Sequence, residues 1–373
     1  MNPESINIFY RVKALLNISG VGIIRLLSLV EKFGTLEALF NSTKKELISV
    51  GKISEKLADK IDSVISNFPL YKKESEKELE KLNDLGGKII TYWDNNYPQQ
   101  LKNIYYPPLI LYLAGKYTAQ DSQSVSIVGT RRLTDYGKTV ANKFASELAK
   151  QGITIISGMA RGIDSVAHKA ALKHGGRTIA VIGSGLDIIY PPENKNLFNS
   201  IIENGAVISE FPLGTKPDAQ NFPKRNRIIA GLSLGTLVIE TKENGGAMQT
   251  AKFAFDQNKE VFAVPGNITS EKSNGTNLLI QRNEAKLILS TEDILLELQL
   301  KLKPTIGVNI PKQDLDLTLF EEKIYNALDT IPKQVDTIAS QTSLSIPETL
   351  INLLSLEFKG IVQQLPGKMF KKA

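Results

Sequence analysis

Seven short apolar runs, at residues 125–128, 153–156, 178–182, 206–209, 236–239, 260–264 and 286–289, recur with helix-length segments between them. Strands that read as continuous apolar runs rather than alternating ones are buried on both faces, and such strands alternating with helices form a parallel sheet covered on both sides. The spacing therefore predicts a Rossmann-like α/β core from about residue 124 to residue 300. Ligands of such sheets gather outside the carboxyl ends of the strands. Glycine turns follow four of the runs there: Gly129-Thr130-Arg131-Arg132, Ser157-Gly158-Met159-Ala160-Arg161-Gly162, Gly183-Ser184-Gly185 and Asn244-Gly245-Gly246. A strand that breaks at glycine and resumes as a helix turns backbone N–H groups outward, and such a turn receives anions.

The segments on either side read differently. Residues 1–70 form short helices, with a tight hairpin at Ile18-Ser19-Gly20-Val21-Gly22-Ile23 and a weaker copy at residues 47–53. Apolar-x-Gly-x-Gly turns between helices resemble helix-hairpin-helix units, whose amides contact DNA phosphates; a turn that merely packs the domain is an equal reading. Residues 71–84 predict a charged helix that serves as a solvated face or spacer. A short strand at 88–92 and a loop rich in tyrosine and proline (Tyr97-Pro98, Tyr105-Tyr106-Pro107-Pro108) follow, and packing of a domain junction is favoured over base stacking for these rings. Beyond a linker at 301–317, three helices (319–328, 335–340, 347–358) and a β-ribbon (360–370) make a winged helix. Residues 317–373 hold six lysines against six acids, too little positive balance for a DNA reader, so partner or self contact is favoured for this domain.

Composition narrows the chemistry. With no cysteine, disulfides, thiolate catalysis and cysteine-held metals are excluded, and two histidines cannot build a three-histidine metal site. A formal charge of +6 favours a polyanion as partner. Residues 219–239 contain no acid while Lys224, Arg225 and Arg227 fall within four positions. No apolar run is long enough to span a bilayer and the first residues lack a signal-peptide layout, so a cytoplasmic protein without membrane contact is expected.

Common nucleotide fingerprints fail. Gly137-Lys138-Thr139 resembles the end of a P-loop, but the earlier glycine falls at Arg132. Gly183-Ser184-Gly185 lacks the third glycine of a dinucleotide turn, which leaves sheet packing as its reading. His168 lies four residues after Asp164 on one helical face; no oxyanion loop or third group accompanies it, so a packed imidazole is favoured over a base. Cations beside glycine turns do stand out: Arg131, Arg132, Arg161, Lys224, Arg225 and Arg227, with Phe222 supplying a ring on which a base of a single strand stacks.

The segments 126–131, 157–168, 183–194, 209–212, 221–233 and 261–266, in this order and spacing, resemble the successive signatures of the DNA-processing protein A (DprA/Smf) family. The resemblance is strong over residues 92–296 and implies a bacterial cytoplasmic protein that binds incoming single-stranded DNA in natural transformation (competence), protects it and loads the RecA recombinase. It also implies a homodimer through the Rossmann-like domain, no cofactor and no enzymatic activity. By position it assigns DNA contact to Gly129, Arg131, Gly158, Arg161, Gly162, Phe222, Lys224, Arg225, Asn226, Arg227, Gly245 and Gly246. Gly245-Gly246-Ala247-Met248-Gln249-Thr250-Ala251 departs from the family's Ser-Gly-Ser and loses a hydroxyl, and Asn283-Glu284-Ala285 stands where a glycine before the alanine is common.

The organisation expected is a helix-hairpin-helix/SAM-like domain (1–70), an extended Rossmann-like DNA-binding domain (71–300), a linker (301–317) and a winged helix (318–373). The competing expectation from the same fold is a nucleotide-processing hydrolase with Glu240 as its carboxylate.

Overall fold

The computed structural model describes residues 2–51, 53–298, 317–329, 333–359, 361–365 and 369–372. These fall into two compact units divided after residue 302; the expected linker lies outside them except at Leu317.

The first unit begins with six helices: α1 (Pro3–Leu16), α2 (Ile23–Phe33), α3 (Leu36–Phe40), α4 (Lys44–Ile48), α5 (Glu55–Ser66) and α6 (Phe68–Asp84). A hairpin with Gly20 at φ +104° joins α1 to α2, closed by the amide of Val21 on the carbonyl of Ile18 at 2.9 Å. Its second copy repeats the bond, Val50 amide to Leu47 carbonyl at 3.1 Å. Then follow β1 (Gly87–Thr91), α7 (Gln99–Lys102), β2 (Ile110–Gly115), β3 (Ser124–Val128), α8 (Asp135–Lys150), β4 (Thr154–Ser157), α9 (Ile163–Lys173) and β5 (Thr178–Ile182). The unit closes with α10 (Lys195–Asn204), β6 (Gly205–Ser209), α11 (Asn221–Leu232), β7 (Gly235–Val238), α12 (Gly246–Asp256), β8 (Glu260–Ala263), α13 (Asn274–Gln281), β9 (Lys286–Leu287) and α14 (Thr291–Glu297).

All nine strands form one sheet in the order β1-β2-β6-β5-β4-β3-β7-β8-β9. The seven anticipated runs are its parallel strands. From β3 the chain winds outward through β4, β5 and β6, then returns to lay β7 against the free side of β3, which makes β3/β7 the topological switch point. Alternate residues supply two cores. Val128, Ile156 and Val181 pack with Ile228 and Ile229 of α11 and Ala251 of α12, while Val125, Ile127, Ile155 and Leu237 pack with Phe144 of α8 and Ala167 of α9.

Two features depart from the expectations above. The strand expected at 88–92 is present as β1, but its pairing was not foreseen: β1 pairs with β2 and β2 with β6, both antiparallel, extending the sheet. The charged α6 is not a spacer either, because Leu79 and Leu82 are buried between its lysines and glutamates. With α1 it covers the antiparallel edge, where the Phe9 ring meets Tyr112 edge-on at 6.2 Å.

In the second unit α15 (Leu319–Ala327), β10 (Lys333–Gln334), α16 (Val335–Thr342), α17 (Ile346–Phe358), β11 (Val362–Leu365) and β12 (Met369–Lys372) build a winged helix. Its small sheet runs β10-β12-β11, with β10 an unforeseen third strand, over a core that includes Ile324, Ile338, Leu353 and Phe370. α17, in the recognition position, has no basic residue and exposes Ile346, Ile351 and Leu354. Its Glu348 is spent on its own N-cap, Ser345.

Glu321 ties this unit together. Its carboxylate accepts from Lys359 at 2.7 Å, Ser355 at 2.5 Å and the Thr318 amide at 2.7 Å, and these bonds, the Lys359 ammonium first, hold its pKa down at about 2. A carboxyl depressed in the folded state contributes stability that is complete above its ordinary value of 4.5 and is lost as pH falls towards about 2. Acid unfolding of the second unit, followed by near-UV circular dichroism or NMR, is therefore expected within that window, and Glu321→Gln should flatten the dependence there.

Candidate nucleic-acid interface

The strand-end turns dock on one another because they lack side chains where they meet. Gly162 has φ +80°, and a Cβ there would lie 2.2 Å from the Thr130 carbonyl oxygen and 2.7 Å from that of Arg131. The Ile163 amide donates to that same Thr130 oxygen at 3.2 Å, and the Thr130 amide donates to the Glu240 carbonyl at 2.7 Å. Through these bonds the turns after β3, β4 and β7 become one surface.

Arg225 of α11 runs beneath that surface. It is 4% exposed, and its Nη1 donates to the carbonyl of Gly158 at 2.7 Å and to that of Val181. A Cβ on Gly158 would stand 2.5 Å from Nη1. Asp164, also buried, accepts from the amides of Gly158 at 3.2 Å and Ala160 at 3.3 Å. Burial raises the Asp164 pKa against the pull of Arg225. Burial likewise lowers that of Arg225, to about 10, with Asp164 opposing the shift.

Above the pair opens a groove of about 470 Å³ at the β3/β7 switch point, lined by Gly129, Arg131, Phe222, Arg225, Asn226 and the Gly245-Gly246 start of α12. α12 has no side-chain cap and no acid in its first turn, so its positive end faces the groove uncompensated. Arg131 is exposed and lies over the Phe222 ring, 5.0 Å from its centroid. Tyr190 flanks the same ring at 5.9 Å. A cleft of about 20 Å³ continues from the groove between Arg131, Arg161, Tyr190 and Phe222.

The anticipated cations do not all converge. Lys224 is exposed but lines neither space. Arg227 points away from the groove and pairs with Glu210. Arg161 reaches the cleft held by Glu193, with Nη2 donating to Oε2 at 3.1 Å. Gly158 reaches the cleft wall, and Gly162 acts through its backbone alone. Three residues to which the sequence reading gave no part in the site belong here: Tyr190, beside the Phe222 ring, Lys242, which lines the groove, and Asp164 as the buried acid. An acid in the first turn of a helix was the available signal for the last. Tyr97 is buried and donates its hydroxyl to the Pro108 carbonyl at 2.8 Å, whereas Tyr105 and Tyr106 are exposed.

Neither candidate for chemistry faces the groove. His168 is fully buried: Thr178 donates its single hydroxyl proton to the Ile155 carbonyl at 2.7 Å and must accept from His168 Nδ1 at 2.6 Å. Burial, then Arg225, push the imidazole pKa down to about 3. The Glu240 carboxylate accepts from the amide of Thr134 at 3.0 Å and from its hydroxyl, at the start of α8, where the bare Gly137 makes room for it.

A doubly wound α/β sheet with strand-end glycine turns around an anion-suited groove, accompanied in the chain by paired helical hairpins and a winged helix, defines a Rossmann-like protein with two appended helical modules. Family models match in the same order: a SAM-like helix-hairpin-helix tandem over residues 12–61, DNA recombination-mediator protein A over 88–299 and the DprA winged-helix domain over 311–368. The chain is 36% identical to Protein Smf of Synechocystis sp., across 95% of this chain and 96% of that one. It is 43% identical to the DNA processing protein DprA of Bacillus subtilis, across 59% and 74% of the two chains. Among solved structures, that of DprA from Streptococcus pneumoniae superposes with a TM-score of 0.66 at 32% identity, covering 80% of this chain and 99% of that one. The Helicobacter pylori protein, whose structure describes a single-stranded DNA binding mode, superposes with a TM-score of 0.52 at 31% identity, covering 57% and 95%. The chain belongs to the DprA/Smf family of DNA recombination mediators.

Arg225 and Arg131 are expected to separate in stability measurements. Arg225→Ala strips the carbonyls of Gly158 and Val181 of their buried donor and removes the charge that offsets Asp164, and should cost about 1–3 kcal/mol for each carbonyl left unpaired. Arg131→Ala, at the surface, should stay within about 0.5 kcal/mol of the parent in urea unfolding.

Proposed function

We propose that the groove at the β3/β7 switch point binds single-stranded DNA without strong sequence preference, and that the protein protects incoming DNA and hands it to the RecA recombinase in natural transformation. The observation that carries this reading is the exposed Arg131 guanidinium over Phe222, beside the uncapped start of α12. Phosphates meet a cation and a positive helix end there, and a base meets a stacked cation–aromatic pair. A mediator of this kind works in the cytoplasm, as a homodimer through the Rossmann-like unit. The apolar face of α17 suits a protein partner or a second copy better than DNA.

Arg225 enters this reading as a positioning residue, since its guanidinium is spent on carbonyls, while Arg131 and the α12 amides make the contacts. The hydrolase alternative requires a carboxylate over the ligand, and the engagement of Glu240 with Thr134 speaks for binding without chemistry.

Fluorescence anisotropy with oligothymidylate and mixed-sequence oligonucleotides tests the reading. Arg131→Ala should weaken binding to all sequences alike and reduce the slope of log affinity against log salt by about 0.7. Phe222→Ala should cost about 1–3 kcal/mol of binding free energy. Undiminished binding by both variants at moderate salt would sink the assignment of the groove. Turnover of common nucleotides that disappears in Glu240→Gln would favour the hydrolase.

A further inference from the structure

Five neighbouring strands of the sheet, β5, β4, β3, β7 and β8, are followed at their carboxyl ends by segments that carry a row of charged side chains. In spatial order these are Glu193, Arg161, Arg131, Lys242 and Glu271. The three inner residues are cations bordering the groove or its cleft. The two outer ones are carboxylates, and each is paired with the cation beside it: Glu193 with Arg161, and Glu271 with Lys242 at 2.6 Å. Arg131, in the middle, pairs with no carboxylate among the described residues.

Both carboxylates are held by the scaffold. Asn194, next to Glu193, donates to the Met159 carbonyl and the Ser165 hydroxyl, each at 2.9 Å, which fastens this segment to the turn that bears Arg161. The segment that bears Glu271 is fastened to Thr241, next to Lys242, by the Gly275 amide at 2.9 Å. It is closed on itself by Asn277, which bonds both the amide and the carbonyl of Gly266, at 3.1 and 3.0 Å.

Exposure separates these pairs from the others nearby. Arg161 and Glu193 are 54% and 52% exposed, Lys242 and Glu271 54% and 70%, whereas Arg227 and Glu210 are 12% and 20% exposed. Solvated ion pairs are weak and exchange partners, and buried ones do not.

Resting on the single-strand reading above, we propose that Glu193 and Glu271 are the terminators of the phosphate track. Among the described residues, Arg131 is the cation of this row without a carboxylate partner; Arg132, exposed beside it, lines neither the groove nor the cleft. A backbone crossing the strand ends takes Arg161 and Lys242 only by displacing the carboxylates that hold them. Of the cations in this row a mononucleotide engages Arg131 alone, so the device favours a continuous phosphodiester chain over free nucleotides. It also lowers the salt dependence of binding, because each liberated carboxylate takes up a cation as the DNA releases one.

The test is binding of the full chain to fluorescein-labelled oligothymidylate across a salt series, with thymidine monophosphate as competitor. Glu193→Gln and Glu271→Gln should each tighten oligonucleotide binding by roughly 2- to 5-fold and steepen the salt slope by about 0.7, and in the double variant thymidine monophosphate should compete more effectively. Glu243→Gln is the charge control, since Glu243 is exposed, adjacent to Lys242 in sequence and unpaired among the described residues; it should change binding less than either. Unchanged or weaker binding by both carboxylate variants, or an equal gain from Glu243→Gln, overturns the proposal. Arg131→Ala separates the two levels. If the parent binds and Arg131→Ala binds worse while the carboxylate variants do nothing, only the terminators are wrong. If the parent does not bind, or Arg131→Ala and Phe222→Ala both bind equally well, the groove assignment falls and the terminators with it.

Discussion

The guanidinium of Arg225 and the carboxylate of Asp164 are buried beneath the turn that follows β4, and the form of the groove depends on them. Gly158 is bonded to both: its amide donates to Asp164 and its carbonyl accepts from Arg225. The peptide is thereby gripped from two sides. Burial disfavours each charge by itself, raising the carboxyl pKa and lowering that of the guanidinium, and each partner offsets part of the other's shift. Met159, the next residue, is held at φ +55°, a conformation that L side chains rarely adopt. Its side chain is fully buried and its carbonyl is bonded by Asn194. A turn fixed in this way presents Ala160 and Arg161 to the ligand space at little entropic cost on binding.

The same economy accounts for the groups that resemble catalysts. A general base must exchange its proton with substrate or water, yet His168 is sealed between α9 and β5 with Nε2 unpartnered. Arg225 adds its charge to the burial that keeps the ring neutral. The Glu240 carboxylate holds Thr134, the N-cap of α8, and because its own carbonyl accepts from Thr130 it braces the turn bearing Arg131. Both residues stabilise the walls of the site.

The parallel strands were legible because burial on both faces demands unbroken apolar runs, a signal local to each strand. The antiparallel edge was not, since strand direction is decided by what a strand pairs with. Nothing in residues 87–91 encodes that β2 will run against β6. The glycine turns were readable as turns, but that Gly162 accommodates the Thr130 carbonyl and Gly158 accommodates Arg225 depends on contacts between distant segments. The cation run of α11 shows the limit most clearly. Lys224, Arg225 and Arg227 look equivalent in sequence, yet helical residues rotate about 100° per position. The three therefore face different surroundings: solvent, the underside of a turn, and Glu210. A helical projection of residues 221–232 separates the three directions, although it leaves open which direction meets which neighbour.

The charged groups around the groove divide by depth, and this division accounts for a rigid floor beneath an exposed rim. At depth, Arg225 is bonded to the carbonyls of Gly158 and Val181 and Asp164 to the amides of Gly158 and Ala160, so together they determine where the turns lie. At the rim, Arg161 with Glu193 and Lys242 with Glu271 are hydrated on both sides, and the difference between a carboxylate and a phosphate partner is small. On the proposed reading, a polyanion rearranges the rim without disturbing what lies beneath. Committing the buried guanidinium of Arg225 to backbone carbonyls leaves the response to a ligand to the exposed cations of the rim.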